Sequence, residues 1–259
     1  MAIFIAVISH GHENLIRKIN CLEKLSDDFN IIIKSNIPGE DFSFLSCYRN
    51  VHHIDNNFNL GFGSNNNYIF NYCISNLNMK DDDLFYVVNP DVYIEKSELY
   101  KLESLMIVNK MKFAAINLFK DKDFCIYDNS VRKFPTIKQF IFSFVGLGND
   151  SIIDKSAINK AQNVDWAAGY FLAFTAEHYK KLKGFNELYF MYCEDIDICY
   201  RSYMQGCKII YYPEVKALHY AKHANRKLFS KHLYWHICSV LRFLLSKKKI
   251  TKFSSTIKS

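Results

Sequence analysis

Short, almost wholly apolar runs that end in polar or turn-forming residues are the feature that most limits how this chain can fold. Runs of strand length without regular alternation are typical of strands buried on both faces of a sheet. Such runs occupy residues 2–9, 30–34 and 84–88, and a further short strand is predicted over 51–54. Apolar residues with helical spacing over 14–25 separate the first two runs. This order predicts an open α/β sheet, in which ligands bind beyond the carboxyl ends of the strands.

Polar residues at the ends of these strands are therefore candidates for ligand binding. Those that follow the first three strands are Ser9, Ser35, Asn36 and Asn59. Asn89 and Asp91 follow the fourth strand, and a carboxylate two residues from an amide suits a hard divalent ion that also binds diphosphate oxygens. An ordinary Asn-Pro-Asp turn explains the same residues. The acidic run 81–83 precedes its strand, where a solvated turn is expected.

A glycine- and asparagine-rich stretch, NLGFGSNNN, occupies residues 59–67 and leads into a helix predicted over 68–77. Its glycines allow a tight backbone, and its asparagines offer amide donors and acceptors. The stretch lacks the lysine of a P-loop and the third glycine of a dinucleotide-binding turn. We interpret it either as a nucleotide-binding turn or as the glycine-rich start of a helix.

Four acids lie close together in the stretch 185–220, which also contains an aromatic run. They are Glu187, Glu194, Asp195 and Asp197. Carboxylates beside apolar neighbours are costly unless they are paired, hydrogen-bonded or used in chemistry. In a helix over residues 196–203, Asp197 and Arg201 stand four apart and predict an ion pair. Asp195 then lies at the helix start, where N–H groups are expected to keep it ionised, and a solvated acidic helix start is the alternative.

Positive charge is concentrated towards the C-terminal end of the chain. From Val215 onward there are eleven Lys or Arg residues and no Asp or Glu, which leaves 22 basic and 26 acidic residues elsewhere. The formal charge of +7 is thus a property of this tail, which suggests an anionic partner. No nucleic-acid-binding motif is visible. Residues 226–246 have helical apolar spacing, which predicts either a helix on an anionic membrane surface or a helix packed on the domain with a solvated end.

The remaining composition indicates a folded protein rather than a disordered one. Hydrophobic residues make up 49% of the 259 residues, enough for one large core. The eight cysteines form no CxxC pair, which predicts free thiols in a reducing cytoplasm. No apolar run reaches about 18 residues, so no helix is expected to span a membrane. The apolar N-terminus lacks a basic leader and is interpreted as a strand rather than a signal peptide.

Several pieces of the sequence, taken in order, resemble one known family. They are ISHGH, NLGFGSNNN, NPD, VRKFP, VDWAAG, FNELYFMYCEDIDICYR and HYAKHANR. Together they resemble the inverting GT-A glycosyltransferases of family 2, and more narrowly the bacterial O-antigen rhamnosyltransferases that use dTDP-rhamnose. The resemblance implies a Rossmann-like α/β domain over residues 1–220, with a mixed sheet flanked by helices. Its nucleotide-sugar half would cover about 1–120 and its acceptor half about 121–220, followed by a basic helical extension over 221–259.

The resemblance also implies a reaction. L-Rhamnose would move with inversion from dTDP-rhamnose to N-acetylglucosamine-diphosphate-undecaprenol, at the inner face of the bacterial inner membrane. Asp195 would be the catalytic base and Glu194 its neighbour. Asp91 would hold Mg²⁺ or Mn²⁺ across the donor diphosphate. His219 would complete the metal shell or touch the diphosphate, unless it is a structural residue.

Contacts to donor and acceptor follow from the same resemblance. The donor-facing positions are Ser9, Ser35, Asn36, Asn59, Gly61, Gly63, Asn66, Asn89 and Asp91. The acceptor-facing positions are Arg132, Trp166, Gly169 and Arg226. An aromatic plane suits the C–H face of a sugar, although Trp166 fits a plain core position as well. Family members usually carry Asp-Asn after the second strand, where the Asp helps to hold the nucleobase of the donor. This chain has Ser35-Asn36 there, so a charged contact to the nucleobase is missing.

Two other interpretations of these residues are kept. One is the same fold with another donor, such as UDP-galactofuranose or a hexose nucleotide. The other is a non-catalytic sugar-nucleotide-binding membrane adaptor, against which the joint presence of Asp91 and Glu194-Asp195 argues. The sequence allows either metal, and it allows a homodimer.

Overall fold

The first half of the chain alternates strands with helices, as its apolar runs predict. The computed structural model describes residues 1–136, 139–140, 151–220 and 231–258. The strands of this half are β1 (Ile3–Ser9), β2 (Asn30–Ser35), β3 (Val51–Ile54), β4 (Leu84–Val88), β5 (Val92–Tyr93) and β6 (Phe113–Phe119). Its helices are α1 (Glu13–Ile19), α2 (Cys21–Leu25), α3 (Phe62–Leu77) and α4 (Lys96–Val108).

The second half has shorter strands and three further helices within the described residues. The strands are β7 (Val131–Arg132), β8 (Gln162–Val164), β9 (Trp166–Ala167), β10 (Phe171–Thr175) and β11 (Ile209–His219). The helices are α5 (Ala176–Lys181), α6 (Glu194–Met204) and α7 (Lys231–Ser246). Single 3₁₀ turns cover Ser43–Leu45 and Lys155–Ala157.

The described strands form one large mixed sheet and one small ribbon. The order in the large sheet is β3-β2-β1-β4-β10-β6-β11-β5, with β8 added against β11. Strands β1 to β4 run parallel, β10 is antiparallel to both its neighbours, and β11 is parallel to β6. Strands β7 and β9 pair as the ribbon, with Arg132 opposite Trp166. A mixed sheet flanked by helices confirms the predicted fold class.

The sheet separates two apolar layers, because successive strand residues point to opposite faces. Phe4 and Ala6 of β1 belong to the layer that includes residues of α3, α5, α6 and α7. Ile5 and Val7 belong to the layer that includes residues of α1, α2 and α4. Both faces of β1, β2 and β4 are therefore covered, which explains why their sequences are continuous apolar runs rather than alternating ones.

Three elements differ from the sequence-based prediction in ways that matter for the site. The helix predicted over 14–25 is divided by Asn20, whose φ is 52°. Helix α3 begins at Phe62, so the asparagines lie in its first turns rather than in a loop before it. Strand β11 continues past Pro213 to His219, with a register shift between Tyr212 and Lys216. The strand-like run 207–212 followed by Pro213 predicts a strand that ends there and a His219 that follows a turn. Proline is tolerated at such an irregularity, so His219 instead ends the strand.

Two predictions outside the sheet can be compared with the structure. All eight cysteines are free thiols, as expected. The acidic run 81–83 is a turn before β4, but only Asp81 and Asp82 are exposed. Asp83 is buried, and its carboxylate accepts the N–H groups of Ala2 at 2.7 Å and Lys80 at 2.8 Å. None of the helices in the described part of the chain is long and apolar enough to cross a membrane.

Candidate active site

The candidate residues meet at one edge of the sheet because β10 pairs with β4 there and β11 pairs with β5. Strand β10 runs antiparallel to β4, so its start lies beside the end of β4, and the Asn89 N–H donates to the Tyr170 carbonyl at 2.9 Å. Strand β11 pairs with β5, with His219 opposite Val92. The Tyr220 N–H donates to the Asp91 carbonyl at 2.9 Å, which brings the end of β11 to the turn after β4.

The first centre at this edge is the carboxylate pair at the start of α6. Asp195 accepts the N–H of Gly169 at 3.2 Å with one oxygen and the N–H of Ile196 at 2.8 Å with the other. Glu194 is buried, and its Oε2 has no hydrogen-bond partner. Tyr192 and Cys193 directly before the pair both have positive φ, at 72° and 63°. After this turn, the Asp195 carboxylate faces Gly169, just before the start of β10.

Burial sets the ionisation of this pair more strongly than the helix start does. Burial raises the pKa of Asp195, while the N–H groups of Gly169 and Ile196 and the charge of Arg132 oppose the shift. Burial raises the pKa of Glu194 well above its usual range, and repulsion from Asp195 adds to it. The N–H groups at the start of α6 were expected to keep Asp195 ionised, but they do not lower its pKa below the usual value. Asp195 is nevertheless the member of the pair that loses its proton first.

Two of the four clustered acids are structural. Asp197 accepts from the Nε of Arg201 at 2.7 Å, which confirms the predicted ion pair. Arg201 also donates to the carbonyls of Leu182 and Gly184, so it closes the turn after α5. Glu187 accepts from the Asn67 amide at 2.8 Å and from the backbone and hydroxyl of the Thr256 residue at 2.8 and 2.7 Å.

Among the predicted acceptor residues that the structure describes, Gly169 contacts the carboxylate pair and Trp166 is a core residue. Trp166 is buried and its Nε1–H donates to the Lys133 carbonyl at 2.9 Å, which is the alternative kept in the sequence analysis. The Arg132 guanidinium lies 5.4 Å from the centre of that ring. Gly169 holds Asp195 through its N–H, and a Cβ there would lie 3.1 Å from the Phe62 ring. Arg226 lies outside the described residues.

The glycines of the NLGFGSNNN stretch are explained by packing at the start of α3. A Cβ on Gly61 would lie 2.5 Å from the Phe190 carbonyl oxygen, and one on Gly63 would lie 2.7 Å from the Phe185 Cβ. The chain segment before the carboxylate pair therefore runs directly against α3. Asn66 donates to the Phe62 carbonyl at 3.0 Å, within the helix. Nucleotide contacts from these positions stay predictions.

The polar residues at the first strand ends already have protein partners. The Ser9 hydroxyl donates to the carboxylate of Glu40, which the sequence analysis did not single out. Asn36 donates to the Leu60 carbonyl at 3.0 Å and accepts the N–H of the same residue at 2.9 Å. The hydroxyl of buried Ser35 shares a 2.9 Å hydrogen bond with Nε2 of His53 in β3. At the position where the family resemblance implied a carboxylate, this chain therefore presents a Ser–His pair.

The second centre is built from Asp91 and His219. The Oδ2 of Asp91 lies 3.4 Å from Nε2 of His219, and the Oδ1 of Asp91 is buried without a partner. Asp128 lies on the other side of the imidazole, 3.2 Å from Nδ1, and the Tyr170 ring lies over it with centroids 4.2 Å apart. Burial lowers the pKa of His219, but the hydrogen bonds to Asp128 and Asp91 outweigh burial and bring it to about 9.

These atoms fit a hard divalent ion completed by ligands from outside the protein. Neighbouring ligand atoms around one Mg²⁺ or Mn²⁺ ion lie about 3 Å apart, close to the 3.4 Å between Asp91 and His219. The oxygen of Asp91 that lacks a partner could also face such an ion. In the described parts of the chain, no three His, Cys, Asp or Glu side chains are grouped so that they alone could hold a metal. Mg²⁺ usually takes one or two carboxylates together with phosphate oxygens, so Asp91 is the ligand of the kind that it prefers.

The residues that support His219 were not predicted from the sequence. The sequence around Asp128 contains no motif that singles it out, and Asp128 and His219 are 91 residues apart in the chain. Buried Lys155 lies behind it, donating to the Leu118 carbonyl at 2.9 Å and to the Ser130 hydroxyl at 3.3 Å. Burial lowers the pKa of Lys155 to about 7, and the charge of Asp128 opposes this shift. Only the tertiary fold brings these groups together, so no pattern along the chain indicates them.

The fold and the two centres define a class of protein. The chain superimposes on the crystal structure of S. aureus TarS 1-349 in complex with UDP-GlcNAc with a TM-score of 0.58, at 14% identity, over 87% of this chain and 60% of that one. It spans 37% of a longer TarS crystal structure, with a TM-score of 0.56. This likeness shows the fold of a GT-A glycosyltransferase. No protein-family model matches the chain.

The sequence relatives narrow the class. Rhamnosyltransferase WbbL of Escherichia coli K12 is 36% identical over 253 residues, which are 95% of this chain and 94% of that protein. The N-acetylglucosaminyl-diphospho-decaprenol L-rhamnosyltransferase of Mycobacterium tuberculosis is 32% identical over 84 residues, 32% of this chain and 27% of that protein. The hexosyltransferase Agl10 of Haloferax volcanii is 22% identical over 83% of this chain and 66% of that protein. The chain belongs to the rhamnosyltransferases of the GT-A type.

Proposed function

We propose that this glycosyltransferase moves L-rhamnose from dTDP-rhamnose to a polyprenyl-diphosphate-linked N-acetylglucosamine, with inversion at the anomeric carbon. One observation carries the proposal. The Asp195 carboxylate accepts the Gly169 N–H at the same edge of the sheet where Asp91 and His219 pair. One centre can remove a proton from the acceptor, and the other can hold the donor diphosphate. The names of the relatives support rhamnose as the sugar and a diphospho-lipid as the acceptor carrier.

Asp195 acts as the general base on the acceptor hydroxyl. Its raised pKa makes it a stronger base than an exposed Asp, while the N–H groups of Gly169 and Ile196 keep it aimed and ionised before Glu194. Glu194 lies behind it and stays protonated at pH values where Asp195 is charged, because burial raises its pKa further. Arg132 adds positive charge beside Asp195, and a guanidinium group suits the phosphate oxygens of an acceptor diphosphate.

Asp91 and His219 would hold the Mg²⁺ or Mn²⁺ ion. When bound, the ion would neutralise charge on the departing diphosphate as a Lewis acid. The role of this chain's residues is to keep the two ligands in place. Asp128 holds Nδ1 of the imidazole, which leaves Nε2 directed at Asp91. Tyr170 restricts the ring plane from one side.

Asp128→Asn is expected to weaken binding of Mn²⁺ to the protein with dTDP present by about 10- to 100-fold, because the imidazole loses the carboxylate that orients it. Titration calorimetry or the electron paramagnetic resonance signal of free Mn²⁺ measures this directly. Asp123→Asn is the control, since that side chain is exposed in the same loop. An unchanged Mn²⁺ affinity in Asp128→Asn would show that His219 is held without Asp128.

The proposed donor and acceptor are tested by transfer assays with purified protein. dTDP-rhamnose is expected to give transfer to N-acetylglucosamine-diphosphate-polyprenol at a rate at least about 100-fold above UDP-galactofuranose and UDP-hexoses. The anomeric coupling constant of the product reports inversion. Faster transfer from a UDP-sugar would replace the donor, and binding of dTDP-rhamnose without transfer to any acceptor would favour the non-catalytic adaptor.

We also place the enzyme in the cytoplasm, peripheral on the inner face of the bacterial inner membrane. A lipid-linked acceptor has its diphosphate at that surface, and the basic tail carries the charge that anionic lipids attract.

A further inference from the structure

Helix α7 presents one face to the active site and a different face to solvent. On its inner face, Ser239, Val240 and Phe243 are buried. Phe243 packs against Tyr200 of α6, with ring centroids 5.8 Å apart. The helix therefore packs on the domain, as one of the two sequence-based alternatives stated.

The inner face of α7 holds the turn that carries the catalytic carboxylates. The Ser239 hydroxyl donates to the Met191 carbonyl at 2.8 Å. The Tyr192 hydroxyl shares a 3.0 Å hydrogen bond with His232 Nδ1. Tyr192 is one of the two consecutive residues with positive φ directly before Glu194, a conformation that persists only where its surroundings hold it.

The outer face of α7 is an exposed apolar stripe. Its members are Tyr234, Ile237, Leu241 and Leu245, which are 67%, 43%, 55% and 42% exposed. Spacings of three and four residues place these side chains on one side of a helix. Four large apolar side chains aligned in this way are more than the scattered exposure expected of an ordinary surface helix.

Positive charge flanks this stripe. Lys231 lies at its start, and Lys248 and Lys249 lie just beyond its end, all exposed. No acid occurs after Glu214, so nothing in the sequence of this region offsets the charge. An apolar stripe between lysines is the arrangement of helices that lie in the interface of an anionic bilayer.

We propose that the outer face of α7 docks on an anionic bilayer and that this contact supports the catalytic turn held by the inner face. The inference rests on the proposed function, because a lipid-linked acceptor brings the enzyme to that surface. A second copy of the chain is the less favourable occupant. A symmetric contact through this face would set the lysines of one copy against those of the other, whereas anionic lipids complement them.

Vesicle flotation tests the docking surface and does not depend on turnover. The full chain is expected to float with vesicles of phosphatidylglycerol and phosphatidylcholine. The double variant Ile237→Asp/Leu241→Asp is expected to bind at least 10-fold more weakly. The control is Ile107→Asp/Val108→Asp, which adds the same charge at two exposed apolar positions of α4 and should float like the unchanged chain. Equal flotation of the stripe variant and the control would overturn the proposal. So would a dimer in sedimentation that only the stripe variant loses, since this would identify a second copy as the occupant.

A water-soluble acceptor tests the link to the catalytic turn. With a short-alkyl N-acetylglucosamine diphosphate, the same vesicles are expected to raise kcat several-fold for the unchanged chain and not for Ile237→Asp/Leu241→Asp. Without vesicles, the two proteins should have equal kcat and equal melting temperatures. A kcat that vesicles do not change would refute the link, even where flotation succeeds. Failure of rhamnosyl transfer altogether would instead refute the proposed function, and flotation would still report on the surface.

Discussion

Replacing Asp195 with Asn is expected to lower the kcat of rhamnosyl transfer by about 100- to 10,000-fold, because an amide cannot take the proton of the acceptor hydroxyl. The pH profile of the unchanged enzyme gives a second readout. Only the ionised carboxylate accepts a proton, so the rate rises as pH rises through the pKa of the pair. Burial raises the pKa of Asp195, so this acid limb is expected above the ordinary range of Asp. Steady-state rates from about pH 4 to pH 8 measure it.

Asp197→Asn is the matched control, two residues further along α6. Its side chain pairs with Arg201 instead of facing Gly169. This variant is expected to melt at a lower temperature but to keep kcat within about 10-fold per folded molecule. A kcat near that of the unchanged enzyme in Asp195→Asn would remove Asp195 as the base, whatever Asp197→Asn does.

Asn67→Leu is expected to reduce the free energy of unfolding by about 3–5 kcal/mol, because it leaves several buried polar groups without partners. The Asn67 Oδ1 accepts from the Tyr179 hydroxyl at 2.8 Å and from the Phe185 N–H at 2.9 Å. Its Nδ2 donates to the Phe185 carbonyl at 2.9 Å and to Glu187 at 2.8 Å. Leucine has the same branching at Cγ and leaves no cavity, so the loss reports on hydrogen bonds rather than on a void.

Asn71→Leu serves as the control one turn further along α3. Its amide makes a single exposed hydrogen bond to the Thr256 carbonyl, at 3.3 Å. Urea unfolding is expected to show a change below about 1 kcal/mol for this variant. If the two variants lose similar amounts of unfolding free energy, the former partners of Asn67 must form hydrogen bonds with water or with each other once the amide is removed.

Local patterns were sufficient where a residue's environment follows from its neighbours in sequence. The apolar runs identified β1, β2 and β4 because both faces of these strands are covered. The Asp197–Arg201 pair followed from helical spacing alone. Pro213 shows the limit of the same reasoning, since a proline inside an apolar run indicates a strand end unless an irregularity accommodates it, as it does in β11.

The parts of the site that escaped prediction depend on distant contacts or on burial. The rise in the pKa of Asp195 comes from the surrounding core, which the helix-start argument did not include. Asp128 supports His219 across 91 residues. Ser9 and Asn36 do stand at strand ends, but their hydrogen bonds go to Glu40 and to Leu60. A strand-end position therefore indicates where a side chain lies, and not which partner it binds.

The hydrogen bonds of Asn67 also set an order for folding during synthesis. This residue lies in the first turns of α3, but its partners are made much later. The carbonyl of Phe185 is 118 residues away in sequence, and the hydroxyl of Ser255, which accepts from the same amide at 3.3 Å, is 188 residues away. A nascent chain carrying β1 to β4 can form its parallel strands while α3 still lacks these bonds. The side-chain amide of Asn67 therefore stays without these partners until the segment around Phe185, and then Ser255, have been synthesised.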